Sequence, residues 1–338
     1  MELEERLRLL KRNTVEILTE GEAETLLMEK QRPSAYIGRA TTGPLHLGHL
    51  IAIGKTLDFQ KAGINVKILL ADIHAALDDL KAKWGDLTKR VEYTQKCIEL
   101  AIVWKEKPTF IRGSEFQLEK DYHMDLLKMS TVTTVDRAMR AASEVTRMKN
   151  PKVSELIYPI MQALDEQYLD VDIQLGGTDQ RHILAFARDY LPIIGYRKRV
   201  EVMTPLVSSL QGPGKKMSSS VPETHIKVYE SEENIRKKIS AAYCPAGIVQ
   251  DNFILQLCKF LIFTSEEKIS IKRESKFGGD IELTSYDDLE RAFYEKKVHP
   301  TDLKNAVAEY FVGRLKPARD YFEKRVDMLK ELGPEFLP

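Results

Sequence analysis

The sequence has few cysteines, no long apolar run and no secretory signal, and each absence excludes a class of protein. Its three cysteines are Cys97, Cys244 and Cys258. Their odd number and wide spacing indicate free thiols in a reducing compartment rather than disulfides or a cysteine-based zinc site. No apolar run approaches the roughly 18 residues of a membrane-spanning helix, and residues 1–6 are charged and acidic. We therefore expect a cytoplasmic protein.

Net charge is absent as well, because 51 lysines and arginines balance 51 aspartates and glutamates among 338 residues. This balance argues against a protein that coats nucleic acid without selectivity, since such binding needs an excess of positive charge. Basic clusters occur at residues 197–199, 215–216, 236–238 and 272–276, and each could equally be a solvated surface. The charge pattern therefore leaves room only for a local contact with nucleic acid.

Strand-like and helix-like segments alternate through the first two-thirds of the chain. Apolar runs typical of buried strands lie at residues 35–38, 66–71, 109–112, 171–175 and 200–203. Helical patterns lie between them at residues 48–62, 87–104 and 179–191. This alternation predicts an α/β fold with a parallel sheet whose ligands bind at the strand ends.

Chain length and a change of pattern predict two domains after a short N-terminal segment. We predict a helical segment at residues 1–30, an α/β domain at 31–222 and a smaller, mostly α-helical domain at 223–338. Residues 113–150 are expected to be a helical insertion that contacts a second subunit.

Two histidines flank a glycine just after the first predicted strand, in the segment PLHLGH at residues 44–49. Gly48 would let a purine or a phosphate approach the backbone. His46 and His49 would add donors to the N–H groups of a helix N-terminus, which attract anions. The same pair could also be surface histidines or half of a metal site.

A second motif, KMSSS at residues 216–220, lies in a Gly/Pro/Ser-rich loop after the last predicted strand. Lys216 would supply a point charge for the β- and γ-phosphates of a nucleotide, and Ser218 and Ser219 would add hydrogen bonds. Such a loop, taken alone, could also be a linker between domains.

These two motifs, in this order and about 170 residues apart, resemble the two signatures of class I aminoacyl-tRNA synthetases. Further segments resemble the tyrosyl-tRNA synthetases of archaea and eukaryotes, and together they span about residues 30–320. They lie at residues 36–38, 40–43, 71–75, 158–165, 176–181, 276–280 and 299–305. Two positions depart from the signatures, since Leu47 replaces an isoleucine and Ser219 replaces a lysine.

The resemblance implies a Rossmann-like catalytic domain followed by a helical anticodon-binding domain. It implies that L-tyrosine reacts with ATP, carried as the Mg²⁺ complex, to give tyrosyl-adenylate, and that tyrosine then passes to the terminal ribose of tRNA(Tyr). No tightly bound metal is expected. The resemblance assigns His46, His49 and Lys216 to catalysis, and the following residues to ATP: Gly48, Gly176, Gly177, Asp179, Ser218 and Ser219.

The resemblance also implies a tyrosine pocket. Tyr36 and Asp165 would bind the phenolic hydroxyl, while Tyr158, Gln162 and Gln180 would bind the ammonium and carboxylate groups. Independently of the resemblance, the i, i+4, i+7 spacing of Tyr158, Gln162 and Asp165 places all three on one helix face between apolar neighbours. An ordinary solvated stripe would show the same spacing.

Contacts with tRNA follow from the resemblance alone. Phe277 and His299 would stack on the first anticodon base and Asp302 would hydrogen-bond it, while Arg140 and Arg181 would read the acceptor stem. His299 could instead be a helix N-cap, because Pro300 follows it. The resemblance further implies a homodimer.

Three rival functions remain open on sequence grounds. Tryptophanyl-tRNA synthetases share both signatures, although Tyr36 with Asp165 favours tyrosine. A small-molecule nucleotidyltransferase would not need the C-terminal helical domain. A non-catalytic RNA-binding paralogue would be expected to have lost the histidines or Lys216.

Overall fold

A computed structural model describes residues 1–78, 80–144, 150–216, 221–265 and 268–338. The chain forms two compact units. The first, here called the sheet unit, comprises Met1–Thr42, Asp58–Gln95 and Trp104–Leu206. The second, here called the helical unit, comprises Gly43–Leu57, Lys96–Val103 and Val207–Pro338. The predicted domain boundaries remain predictions.

The sheet unit is built on a six-stranded sheet with the order β1-β6-β5-β2-β3-β4. The strands of the chain are β1 (Glu16–Leu18), β2 (Ser34–Ala40), β3 (Asn65–Ala71), β4 (Thr109–Arg112), β5 (Ile173–Gly177), β6 (Val200–Thr204), β7 (Ser208–Ser209), β8 (Gly212–Lys216), β9 (Ile269–Ile271) and β10 (Ile281–Leu283). Strands β2 to β6 pair in parallel, which confirms the predicted α/β sheet.

The edge strand β1 was not predicted. The helical segment expected at residues 1–30 contains it, and it pairs antiparallel with β6. Three residues are too few to show the alternation of apolar and polar side chains that marks a strand, so β1 is recognised only from its pairing with β6. The predicted parallel sheet thus has one antiparallel strand at its edge, and the N-terminal segment contains this strand beside two helices.

Helices follow the predicted positions closely. They are α1 (Leu3–Lys11), α2 (Glu20–Glu29), α3 (Leu47–Lys61), α4 (Asp72–Leu77), α5 (Leu87–Ala101), α6 (Lys120–Val132), α7 (Val135–Ala142), α8 (Val153–Tyr168), α9 (Arg181–Tyr190), α10 (Glu232–Ala241), α11 (Phe253–Leu257), α12 (Phe263–Ser265), α13 (Tyr286–Tyr294), α14 (Pro300–Arg314), α15 (Lys316–Glu323) and α16 (Val326–Leu332). A π-helical turn, Cys258–Ile262, joins α11 to α12.

Polar N-caps begin the helices of the helical unit. The side chains of Ser231, Asn252 and Ser285 each accept a hydrogen bond from a backbone N–H in the first turn of α10, α11 and α13. Such caps satisfy N–H groups that have no partner within the helix. The unit closes around fully buried aromatic rings, among them Phe253 and Phe311.

The segment that carries the lysine motif is a strand at its start. The prediction of a loop from residue 212 to 222 is wrong for Gly212–Lys216, which forms β8 and pairs antiparallel with β7. Gly212 and Gly214 have φ values of +92° and +78°, which glycine adopts readily in a tight hairpin. In the sequence, however, these glycines have the composition of a loop.

Two expectations of composition can be compared with the structure. None of the three cysteines forms a disulfide bond. Among the described residues, we find no helix that combines the length and apolar character needed to cross a membrane.

The side chain of Asp172 links three segments of the sheet unit through hydrogen bonds. Its buried carboxylate accepts hydrogen bonds from Lys30 Nζ at 2.6 Å, the Ser34 backbone N–H at 2.9 Å and Arg197 at 2.9 Å. Burial alone would raise the pKa of Asp172, but the bonds from Lys30 and Ser34 and the nearby positive charges outweigh it and lower the pKa. The carboxylate therefore stabilises the fold while it is ionised.

We expect Asp172→Asn to lower the free energy of unfolding by about 1–3 kcal/mol at pH 7. The difference should shrink as the pH falls below about 4, because a carboxyl with a depressed pKa loses its contribution when it is protonated. Urea denaturation at pH 7 and pH 3 measures both values. Asp189→Asn, which removes an exposed ion pair with Arg137, is the control and should change stability by less than about 1 kcal/mol. An equal loss for Asp172→Asn at both pH values would contradict the argument.

Candidate active site

Asp165 is the centre of a polar cluster inside the sheet unit. Helix α8 carries it, and its side chain has an exposed fraction of 0%. Its Oδ1 accepts hydrogen bonds from Gln117 Nε2 at 2.8 Å and from the Tyr122 hydroxyl at 2.9 Å. Its Oδ2 is buried and has no hydrogen-bond partner among the described residues. A buried polar atom without a partner costs free energy, so this atom is suited to a hydrogen-bonding group of a ligand.

His74 faces the same oxygen. Its Nε2 lies 3.9 Å from Asp165 Oδ2, which is too far for a direct hydrogen bond. Burial lowers the pKa of His74 to about 4, so the imidazole is neutral at pH 7. The space between these two atoms is therefore bordered by a neutral imidazole and by a carboxyl oxygen that has no hydrogen-bond partner among the described residues.

Burial raises the pKa of Asp165 to about 8, although the bonds from Gln117 and Tyr122 oppose this shift. Burial also raises the pKa of Tyr36, and the charge of Asp165 adds to that effect. The Tyr36 hydroxyl is therefore un-ionised, and it donates only a long hydrogen bond, 3.3 Å, to the backbone oxygen of Gln162. A better acceptor or donor in a ligand could replace this bond.

The position of Gln117 is set by the residues that precede it in the chain. Asp72 accepts hydrogen bonds from the backbone N–H and hydroxyl of Ser114 at 2.9 and 2.6 Å, which fixes the turn after β4. A Cβ at Gly113 would lie 2.6 Å from Gln117 Oε1, so only glycine leaves room for this amide. The sequence prediction missed Gln117, His74 and Tyr122. Their segments are joined only by the fold, and the one local signal was the glycine that ends β4.

The other predicted tyrosine-binding residues lie around this cluster. Gln162 Nε2 donates to Gln180 Oε1 at 3.2 Å, and the ring edge of Tyr158 contacts the His74 ring at a centroid distance of 4.6 Å. Tyr158 and Asp165 are buried on α8, so the alternative of a solvated stripe is wrong. The structure thus brings together all five predicted residues of the pocket in the sheet unit.

The predicted nucleotide residues of the sheet unit follow β5 directly. A Cβ at Gly177 would lie 2.4 Å from Asp179 Oδ1, so in this structure the carboxylate folds back over the space that the glycine leaves. Gly176 lies at the carboxyl end of the same strand, where parallel sheets bind ligands. Arg39, at the end of β2, was not predicted. Burial lowers the pKa of its guanidinium to about 10.

The two predicted histidines lie together in the helical unit. The rings of His46 and His49 are stacked with centroids 3.6 Å apart. The backbone N–H of His46 donates to His49 Nδ1 at 3.3 Å, so a neutral His49 carries its proton on Nε2. Gly48 lies between them in the first turn of α3. Both histidines lie at the N-terminus of α3, and helix N-termini attract anions.

The lysine motif is only partly described. The backbone of Lys216 ends β8, while its side chain, Ser218 and Ser219 lie outside the described residues. No group of three metal-ligating side chains occurs in the part of the chain that the structure describes.

The predicted tRNA residues are divided between the units, with Arg140 and Arg181 in the sheet unit and the other three in the helical unit. His299 caps α14, since its Nδ1 accepts from the Thr301 N–H at 3.2 Å, and Asp302 lies in the first turn. Arg181 forms a bidentate ion pair with Glu16 at 2.7 and 2.9 Å. Arg140 is exposed on α7. Phe277 is the last residue of a short helical turn, and its side chain lies outside the described residues.

Comparison with known proteins defines the class. Residues 28–316 match the family described as tRNA synthetases class I (W and Y), and the chain belongs to this family. The tyrosine–tRNA ligase of Archaeoglobus fulgidus is 42% identical over 320 residues, which are 94% of this chain and 98% of that protein. The cytoplasmic tyrosine–tRNA ligase of Gallus gallus is 41% identical, over 94% of this chain and 61% of its own length. A crystal structure of the Archaeoglobus tyrosyl-tRNA synthetase with L-tyrosine superimposes with a TM-score of 0.90, at 42% identity, covering 94% of this chain and 99% of that one.

We expect Asp165→Asn to stabilise the unligated protein at alkaline pH. Between about pH 4 and pH 8 the folded carboxyl holds a proton that the unfolded one has released, so the stability of the wild type falls as the pH rises. The variant lacks this loss. Its advantage should grow to the order of a few kcal/mol near pH 8 and vanish near pH 4. Thermal unfolding across this range measures the difference.

Two other buried carboxyls titrate in the same range. Burial raises the pKa of Glu166 and Glu201, and the charge of Asp165 adds to the shift of Glu166, so Asp165→Asn also removes that part of the Glu166 shift, which acts in the same direction. A stability difference that does not change with pH would show that Asp165 is ionised normally in the folded protein.

Proposed function

We propose that this chain is a tyrosine–tRNA ligase, which activates L-tyrosine with ATP and transfers it to the terminal ribose of tRNA(Tyr). The observation that carries the proposal is the unsatisfied Oδ2 of Asp165, buried beside His74. Tyrosine–tRNA ligases among its relatives match 94% of the chain. The roles below are assigned on this basis.

A phenol fits the bare oxygen better than a benzene ring does. Its hydroxyl can donate and accept, so it would pair with Asp165 Oδ2 whether or not that oxygen holds the carboxyl proton, and its oxygen would accept from the Tyr36 hydroxyl, which makes only a 3.3 Å bond in the unligated protein. Phenylalanine would bury the same carboxyl without a hydrogen-bond partner, at a cost of about 1–3 kcal/mol or more. The pocket therefore selects for the hydroxyl.

The same argument separates tyrosine from tryptophan. An indole N–H donates but cannot accept, so it would satisfy Asp165 and leave the Tyr36 hydroxyl without an acceptor in the ligand. A phenol satisfies both groups. Gln162, Gln180 and Tyr158 would hold the ammonium and carboxylate groups.

Activation joins the tyrosine carboxylate to the α-phosphate of ATP and releases pyrophosphate. The carboxylate is already ionised at pH 7, so the attack needs no general base. His46, His49 and Lys216 would stabilise charge on the phosphates, with Ser218 and Ser219 adding hydrogen bonds. Gly48, Gly176, Gly177 and Asp179 would bind the nucleoside, and Mg²⁺ would enter as part of the ATP substrate.

Transfer requires tRNA and, we propose, a cytoplasmic homodimer. Phe277, His299 and Asp302 would bind the anticodon, and Arg140 and Arg181 the acceptor stem. Helix α6 exposes large apolar side chains, with exposed fractions of 49% for Met124 and 62% for Leu127. Exposed apolar surface of this kind favours a subunit contact.

We expect tyrosine-dependent ATP–pyrophosphate exchange by the wild type, with phenylalanine and tryptophan at least about 100-fold poorer in kcat/KM. In Asp165→Ala, exchange with tyrosine should fall by a similar factor, because the phenol loses its acceptor. The control is Asp327→Ala, which changes an exposed carboxylate on α16 and should leave exchange unchanged. Exchange with no amino acid preference, or none at all, would refute the proposal and favour a nucleotidyltransferase or a non-catalytic RNA-binding protein.

The anticodon assignment has its own test. Asp302→Ala should raise KM for tRNA(Tyr) in aminoacylation by about 10-fold and leave pyrophosphate exchange unchanged, because a lost base contact costs about 1–3 kcal/mol. Asp302 is preferred to His299 for this test because replacing His299 would also remove the cap of α14. An unchanged KM for tRNA would remove Asp302 from the interface.

A further inference from the structure

The chain after the lysine motif pairs directly with the histidine motif inside the helical unit. The backbone N–H of Leu47 donates to the Ile226 oxygen, and that of Val228 donates to the Leu45 oxygen, each at 3.0 Å. These bonds flank an antiparallel bridge between His46 and Lys227. The pairing fixes the register of the two segments, and it places His225 next to His46.

The imidazole of His225 lies against the ring of His46. Their centroids are 4.8 Å apart and their planes are inclined by 34°, while His49 stacks on His46 at 3.6 Å. The His46 ring therefore contacts two other imidazole rings. His225 has an exposed fraction of 0% and His46 of 3%, so neither ring can move without repacking its surroundings.

The backbone of His225 is held from a separate element. Lys238 Nζ, on α10, donates to the His225 oxygen at 3.1 Å and forms an ion pair with Glu230 at 2.7 Å. This anchor and the paired backbone leave the His225 side chain little freedom. A side chain fixed in this way can impose its own position on the ring that it contacts.

We propose that His225 is a positioning residue, which holds the imidazole of His46 in the orientation used during activation of the amino acid by ATP. This inference rests on the proposed function, and it adds a residue that neither motif contains. His225 touches no substrate in this account. It acts because an activating group misplaced by about 1 Å can lose about 100-fold in rate.

The matched variants are His225→Ala, which removes the ring, and His225→Phe, which keeps a ring without nitrogen atoms. For His225→Ala we expect kcat of tyrosine-dependent exchange to fall by about 10- to 100-fold, with KM for tyrosine unchanged. His225→Phe should recover most of the lost rate. His182→Ala, a histidine on α9, is the control and should keep wild-type exchange. Equal losses in the Ala and Phe variants, or a loss no larger than that of the control, would overturn the proposal.

A second measurement does not depend on activity. In protein labelled with ¹³C-histidine, His225→Ala should shift the ring signal of His46 and leave that of the exposed His299 unchanged, with thermal unfolding still cooperative. An unmoved His46 signal would also overturn the proposal. If the wild type shows no exchange, the proposed function fails, and this signal alone decides whether His225 positions His46.

Discussion

The half-satisfied carboxyl of Asp165 is the interaction on which the account depends. One of its oxygens accepts two hydrogen bonds, from Gln117 and Tyr122, and the other accepts none. Burial makes this difference matter, because a missing hydrogen bond costs far more in a dry site than in water. The pocket therefore favours a ligand group that supplies the missing hydrogen bond.

The surrounding fold keeps that oxygen bare. Asp72 fixes the turn that carries Gln117, and Gly113 leaves the space that this amide needs. Apolar residues of α8 and α9 fill the core around the pocket, so water has little room to satisfy the carboxyl. The raised pKa of Asp165 reflects this arrangement, because the folded protein loses stability when the unpaired carboxyl must ionise.

Much of the fold and site could be predicted because the signals are local. The apolar run of β3, the polar stripe of Tyr158, Gln162 and Asp165 and the two signature motifs can each be recognised within a few residues. The edge strand β1, the contact of His74 and Gln117 with Asp165, and the pairing of His225 with His46 could not, because each joins segments that only the folded chain brings together. The β8 hairpin was missed for another reason, since its glycines have the composition of a loop.

The most direct test of the central claim is a crystal structure with L-tyrosine bound. We expect a phenolic oxygen within about 2.5–3.0 Å of Asp165 Oδ2 and within hydrogen-bond distance of the Tyr36 hydroxyl. We also expect the bonds from Gln117 and Tyr122 to Oδ1 to be retained. Tyrosine bound elsewhere, or bound with Asp165 Oδ2 still lacking a hydrogen-bond partner, would contradict the proposed pocket.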